Sequence, residues 1–164
     1  MAPRRLPPAD ILREALSYDP ESGELRWRKT RNTARVGRIA GCESQRGYRA
    51  VFCHGQQMLV HRVIWCMVTG ESPALHVDHI DGDTSNNRWS NLRLATEAQT
   101  NWNRRHSGKS PYKGVTRNSR NTRWIARIRV NNKEIFLGAF LSLEDAVVAR
   151  KRAESNLHGD YVRL

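Results

Sequence analysis

Residues 75–96 read LHVDHIDGDTSNNRWSNLRLAT. The first six residues predict a strand over Leu75–Ile80, with Asp78 and His79 at its end. The run Asp81–Ser90 predicts a loop, because Gly, Asn, Asp and Ser bond their own backbone and tolerate turn conformations. Asn91–Ala95 predicts a second strand. Thr96-Glu97-Ala98-Gln99 is a capping box, so a helix starts at about Thr96. The order is strand, loop, strand, helix. A hard oxygen donor, Asp78, therefore stands next to a titratable base, His79. Hydrolysing a phosphodiester requires a cation to stabilise charge and a base to activate water. This pair contains a ligand for the first and a candidate for the second.

The spacing D-H-x-D-G-D-x-x-N-N-x-x-x-N-L-R-x-A-T over Asp78–Thr96 resembles the HNH (His-Me finger) nuclease motif of homing-type and phage-borne endonucleases. The resemblance implies a ββα-metal domain and metal-dependent cleavage of DNA. It implies that His79 is the general base and that Asp78 binds a divalent cation such as Mg²⁺, which favours oxygen ligands. It also implies that Asn91 orients the His ring through a backbone-side hydrogen bond, so that one nitrogen is presented as acceptor. Asp81, Asp83, Asn86 and Asn87 read as turn formers rather than ligands. His61, in a V-H-R pattern that the family also shows, reads as a structural or DNA-backbone contact. The chain departs from the family at the second metal position. Four residues after Thr96 the family places Asn, and here the residue is Thr100. Asn101 follows and Asn103 comes one turn later. Asn101 is the chosen ligand, with Thr100 and Asn103 as the alternatives.

The chain has 164 residues, room for one ordinary domain or two small ones. Its formal charge of +12 and pI near 10.6 suit a polyanionic partner, because Lys and Arg displace counterions from phosphates. Basic residues are interleaved with Trp and Tyr in strand-like segments, which favours nucleic acid over a membrane surface. Cys42, Cys53 and Cys66 form no CxxC pair, which argues against a zinc knuckle and for free thiols in a reducing compartment. No apolar run reaches membrane-spanning length and the start lacks a signal core. The expectation is a cytoplasmic protein of the phage-borne kind acting inside a host cell, with double-stranded DNA as partner and no protein partner evident.

Upstream of the motif, Asp10 is expected to cap a short helix with Ile11, Leu12, Ala15 and Leu16 on one face. Pro20 should stop it. A turn then enters a strand through Leu25 and Trp27. Residues 28–46 read as a loop or irregular hairpin. GYRAVFC and QMLVH flank His54-Gly55 and predict a β-hairpin. HRVIWCMVTG predicts a helix with Val63, Ile64, Met67 and Val68 on its apolar face and Gly70 as its stop.

Residues 104–111 (RRHSGKSP) read as a linker between a nuclease domain at 1–103 and a second domain at 112–164. YKGVTR, TRWIARIRV and EIFLGAF predict three strands, with turns at NSRN and NNK. Ser142 should cap a helix running to about Leu157, with Ala146, Ala149, Ala153 and Leu157 on one face. Strand alternation puts Arg123, Ile125, Arg127 and Arg129 on one side, opposite Trp124, Ala126, Ile128 and Val130. The ordered motifs Y-K-G-V, W-I-A-R-I-R, F-L-G-x-F and L-H-G resemble the plant ethylene-response-factor (APETALA-type) DNA-binding domain over residues 111–159. That resemblance implies a three-stranded antiparallel sheet on one helix, with the sheet entering the major groove. The residues it assigns to DNA are Lys113, Arg117, Arg120, Arg123, Trp124, Arg127 and Arg129. Alternation puts Trp124 on the apolar side, although it matches a DNA-contacting Trp of that family.

The expected class is α+β, and the expected activity is metal-dependent DNA endonuclease. The alternatives are a non-enzymatic DNA-binding protein with a decayed HNH core, which Thr100 favours, and an RNA-binding basic protein.

Overall fold

The computed structural model describes residues 5–29, 35–44, 47–103, 110, 112–130 and 133–158. The class is α+β, built from short antiparallel sheets and four helices among the described residues. The chain divides into two compact units, Met1–Glu97 and Ala98–Leu164. The expected linker at 104–111 lies outside the described residues except for Ser110, as do residues 131 and 132 of the NNK turn and Gly159.

In the first unit, α1 spans Ala9–Ala15 and is followed directly by β1 (Leu16–Tyr18), which pairs with β2 (Leu25–Trp27). This corrects two expectations. Pro8, not Asp10, occupies the N-cap position, and Asp10 lies in the first turn, where a carboxylate still favours the positive helix end. Leu16 leaves the helix because its extended backbone pairs with Trp27, and Ile11 is exposed rather than part of the apolar face. The segment 28–46 contributes an isolated bridge, Arg26 to Ile39, and the two-residue β3 (Cys42–Glu43).

β4 (Arg49–Cys53) and β5 (Gln56–Leu59) form the expected hairpin around His54-Gly55, both with positive φ, as a tight two-residue turn requires. α2 (Val60–Thr69) ends at Gly70 in the left-handed conformation, whose amide bonds the Cys66 carbonyl. Its buried face is Val60, Val63, Ile64 and Met67, spaced i, i+3, i+4, i+7. Val68 lies outside that stripe and is exposed. These residues join Leu12, Leu16, Leu25, Val51 and Met58 in one core, with Val77 and Leu92 at its border. β6 (His76–His79) pairs with β7 (Leu92–Ala95), and a single 3₁₀ turn at Trp89–Asn91 enters β7. Asn91 thus ends that turn instead of starting the strand.

α3 (Glu97–Asn103) starts just after Thr96 as the capping box predicts, and all of it beyond Glu97 belongs to the second unit. A sheet of order β10-β9-β8 follows, from β8 (Val115–Arg117), β9 (Trp124–Val130) and β10 (Lys133–Phe140). α4 (Leu143–His158) packs on it, and Ser142 Oγ accepts from the Asp145 amide at 3.0 Å as the expected cap. A bulge between Phe136 and Gly138 shifts the β9–β10 register. The core is Val115, Ala126 and Ala146, with Tyr112, Trp124, Leu137 and Phe140 packed around it. Leu157 does not join the helix face it was expected to share with Ala146. It is exposed, and the deep positions one and two turns after Ala146 are held by Arg150 and Glu154, paired at 3.1 Å. Tyr112 Oη donates to Glu154 at 3.2 Å, so a polar pair is buried where the alanine stripe was expected to continue. No described helix is long and apolar enough to cross a membrane.

Gly114 explains why the Y-K-G-V motif holds its glycine. Its φ is +74°, and an added Cβ would fall against the Arg127 carbonyl oxygen and 2.6 Å from Arg150 Nε. Its own carbonyl accepts from the Arg127 amide at 2.8 Å, so the backbone cannot retreat without losing that bond. Gly114→Ala should therefore destabilise the second unit by at least about 2 kcal/mol, which denaturant titration followed by circular dichroism would measure.

Candidate active site

Asp78 and His79 end β6, and both are buried. Antiparallel register sets Asp78 opposite Arg93. The guanidinium grips the Asp78 carboxylate with Nε at 3.2 Å and Nη2 at 3.1 Å, both on Oδ2. A buried carboxylate requires such compensation, since removal of a charge from water is expensive.

The loop between β6 and β7 is organised by Asp81. Its carboxylate accepts from the Asp83 amide at 2.8 Å, from Asn86 Nδ2 at 2.7 Å and from Asn91 Nδ2 at 2.9 Å. Asn91 also donates to the Asn86 carbonyl at 2.8 Å and accepts from the Asp81 amide at 3.0 Å. Burial pushes the Asp81 carboxyl up, but the bonds from Asn86, the Asp83 amide and Asn91 outweigh it and hold Asp81 below its ordinary range. Asp83 is held low in the same way by the Ser85 hydroxyl and amide. Asp81, Asp83 and Asn86 are thus turn formers, as the sequence reading expects.

Asn87 does something different. Its Oδ1 lies 3.1 Å from His79 Nε2, and its Nδ2 donates to the Ser85 carbonyl at 3.1 Å. The carbonyl can only accept, so it fixes which end of the amide is nitrogen. The end facing His79 is then oxygen, which also can only accept. In the neutral imidazole the proton must sit on Nε2, and Nδ1 keeps the lone pair. A ring held in that tautomer is oriented to take a proton on a defined atom.

Two further rings surround His79. His61 lies edge-on with centroids 5.1 Å apart, and Tyr48 is tilted at 6.0 Å. Tyr48 and His61 are themselves 5.2 Å apart. Burial, with the nearby His79 and Arg62, pushes the His61 pKa down to about 3, so this ring is neutral under ordinary conditions.

Residues 58–101 match the HNH endonuclease family. The HNH-matched segment thus covers β5 from Met58, α2, both strands of the motif and α3 as far as Asn101, and it contains His61, Asp78, His79, Asn87, Asn91 and Arg93. The chain is 28% identical over 107 residues to Protein 3.8 of Escherichia phage T7, which covers 63% of this chain and 88% of that protein. It is 42% identical over 77 residues to the uncharacterized HNH endonuclease L560 of Acanthamoeba polyphaga mimivirus, over 46% of this chain and 40% of that one. A solved structure described as DNA binding and cleavage by the HNH homing endonuclease I-HmuI aligns with 88% of this chain and 84% of its own. The sequence identity there is 22% and the TM-score 0.39.

The structure places Asp78 and His79 in succession at the end of β6, both buried. It places Asn91 on the loop, where its side chain bonds Asp81 and Asn86, and it places Asn87 on the His79 ring. Asn101 is exposed and Asn103 is buried. Among the residues assigned to DNA, Arg120, Arg123, Arg127 and Arg129 are exposed, and Arg127 pairs with Glu134 at 3.4 Å. Lys113 Nζ donates to the Asn101 carbonyl at 2.8 Å. Trp124 packs on the core side of its sheet, and the Arg117 guanidinium lies 4.2 Å over its ring. Asn87 was read as a turn former, and Tyr48 and Arg93 were not singled out by sequence reasoning. Asn87 hides in a run whose composition says only turn, and Arg93 could have been found by pairing the two strands in register.

His61 makes a pH prediction. Its folded pKa is depressed from 6.5 to about 3, so the unfolded chain binds a proton first as pH falls. That contribution is complete above pH 6.5 and is lost as pH falls toward 3, with a slope of no more than about 1.4 kcal/mol per pH unit. Denaturant titrations between mildly alkaline and mildly acidic pH should show this decline, and His61→Phe should flatten it.

Proposed function

We propose that this protein is a divalent-metal-dependent DNA endonuclease in which His79 activates the attacking water. One observation carries the reading. Buried His79 follows buried Asp78 at the end of β6, and its Nε2 lies 3.1 Å from Asn87 Oδ1, which accepts the ring proton in the neutral form. Nδ1 is then the basic atom, and water placed there gives up its proton to the ring as it attacks phosphorus. Arg93 holds the Asp78 carboxylate in place, and Asn91 acts one step back from the chemistry by fixing the loop that carries Asn87.

The donor set fits a hard cation such as Mg²⁺. Among the described residues no three His, Cys, Asp or Glu side chains gather as a closed cage would need. Mg²⁺ keeps several waters and is held by one or two carboxylates with neutral oxygens. Asp78 would be the anionic ligand. The sequence motif assigns a second oxygen to the stretch Thr100–Asn103, and Asn101 is retained there. When bound, the cation neutralises charge on the phosphate and the leaving oxygen.

The second unit is read as the DNA-binding half, through the outward face of its sheet. Arg127 and Arg129 stand on that face beside the exposed Phe136, while Ala126 and Ile128 are buried on the other. This two-sidedness supports the ethylene-response-factor resemblance. Arg120 and Arg123 would add phosphate contacts from the adjoining turn, with Arg117 on the edge strand β8 and Lys113 just before it. Trp124, packed toward the core at the start of the central strand, would serve by supporting Arg117 from below. Phage and virus relatives support action inside a host cell.

A second reading, DNA binding without cleavage, is favoured by Thr100 at the family's asparagine position. Supercoiled plasmid incubated with and without Mg²⁺ separates the two. His79→Ala should lower the cleavage rate by about 10²–10⁴-fold with DNA affinity nearly unchanged. Activity within threefold or so of the unaltered protein would remove His79 as the base. Asn101→Ala should weaken cleavage at least about tenfold across a Mg²⁺ titration while Thr100→Ala does little. If the unaltered protein is inert, restoration by Thr100→Asn identifies a decayed core.

Binding to duplex DNA should weaken steeply with salt. Arg127→Gln or Arg129→Gln should each lower the salt slope by roughly one counterion and relax sequence preference, because a bidentate Arg–base contact is worth about 1–3 kcal/mol. Fluorescence anisotropy over a salt series measures both. Unchanged slopes would move the interface off this sheet.

A further inference from the structure

The turn joining β1 to β2 lies against the peptide that carries Asn87. Tyr18 Oη donates to the Asn87 carbonyl at 2.8 Å. Arg88 Nε donates to the Glu21 carbonyl at 2.9 Å, and the Trp89 amide donates to the Pro20 carbonyl at 3.2 Å. At Gly23, with φ +78°, an added Cβ would sit 2.6 Å from the Arg88 nitrogen and 2.7 Å from the Asn87 carbonyl carbon. The turn is itself stiffened. The Asp19 carboxylate accepts from the Ser22 hydroxyl at 2.6 Å and the Glu21 amide at 3.1 Å, and the Gly23 amide donates to the Asp19 carbonyl at 2.9 Å.

We infer that Tyr18 and Gly23 are positioning residues for the reaction at His79, because the N-terminal hairpin clamps the Asn87–Arg88 peptide and so sets the Asn87 amide on His79 Nε2. The inference rests on the nuclease reading of His79. Neither residue touches the reacting atoms. Two hydrogen bonds connect the hairpin to the base: Tyr18 Oη to the Asn87 carbonyl, and Asn87 Oδ1 to His79 Nε2. The Asn87 side chain has only two torsions, and its Nδ2 is pinned by Ser85. With the peptide held from the hairpin side, the amide oxygen has one place to go. Burial, with Asp19 and Glu21 near, raises the Tyr18 phenol to about 12, so it remains a donor throughout the working range. A glycine at position 23 allows backbone to approach backbone, which a side chain would prevent. The hairpin is more than 50 residues away from His79 in the chain, so a motif confined to 58–101 does not contain it.

The test uses the full-length protein with ¹⁵N-labelled histidine. The ring nitrogens of His79 are identified by their loss in His79→Gln. The unaltered protein should show the tautomer protonated at Nε2, and Asn87→Ala should convert it to a mixture. Tyr18→Phe removes one hydroxyl and keeps the ring. It should move the His79 pattern toward that mixture and lower kcat for Mg²⁺-dependent plasmid cleavage roughly tenfold, with KM unchanged. Gly23→Ala should do the same more strongly. If Gly23→Ala fails to fold, Tyr18→Phe decides. An unaltered ring pattern and kcat in Tyr18→Phe, with the parent protein cleaving, overturns the clamp and leaves the nuclease reading standing. A ring pattern that moves in a protein that never cleaves DNA supports the clamp and removes the nuclease reading.

Discussion

A single amide, that of Asn87, connects the fold of the first unit to His79. Its nitrogen is committed to Ser85 and its oxygen to His79, so the tautomer of the neutral His79 ring follows from a loop conformation. That conformation is a product of Asp81, whose two carboxylate oxygens collect the Asp83 amide, Asn86 and Asn91. Each of these bonds is charge-assisted and short, and their number explains why a loop of mostly polar residues can hold a side chain in one place. Asn91 closes the loop by bonding both its start and its middle. Asn91, to which the family resemblance assigns the orienting of His79, bonds the loop and not the ring.

The rings around His79 complete the arrangement from the other side. His61 comes from α2, and Tyr48 precedes β4. Both bring flat, uncharged surfaces against the base, which limits how the ring can tilt. A charged His61 would be expensive at this depth, and its low pKa shows that it stays neutral. The same burial makes His61 an acid-sensitive point in the fold.

Much of this was legible in the sequence because periodic elements announce themselves. The His54-Gly55 hairpin, the stop at Gly70, the two strands of the motif, the Ser142 cap and the alternation of TRWIARIRV all follow from local rules, and the structure places them there. The misreadings share one cause, which is tertiary pairing. Leu16 satisfies a helical period and yet pairs with Trp27. Leu157 continues the alanine stripe of α4, but Arg150 and Glu154 take the buried positions because they can pair with each other and with Tyr112. Asn87 is illegible for a related reason. Its composition says turn, and its bond to His79 exists only once the loop has folded back on the strand end.

Asp78 shows why a buried carboxylate at such a site carries a cationic neighbour from the opposite strand. Arg93 compensates part of the cost of removing a carboxylate from water at this depth. Arg93 approaches through Nε and Nη2, both on Oδ2. A planar guanidinium can hold a carboxylate from its edge in this way, whereas a lysine ammonium would act as a mobile point charge. The carboxylate is therefore oriented by the strand ladder itself, because Asp78 and Arg93 are register partners. A hard cation requires an oriented oxygen of its protein ligand. Under the nuclease proposal, the pairing that makes Asp78 tolerable to the fold would be the same one that presents it to the metal.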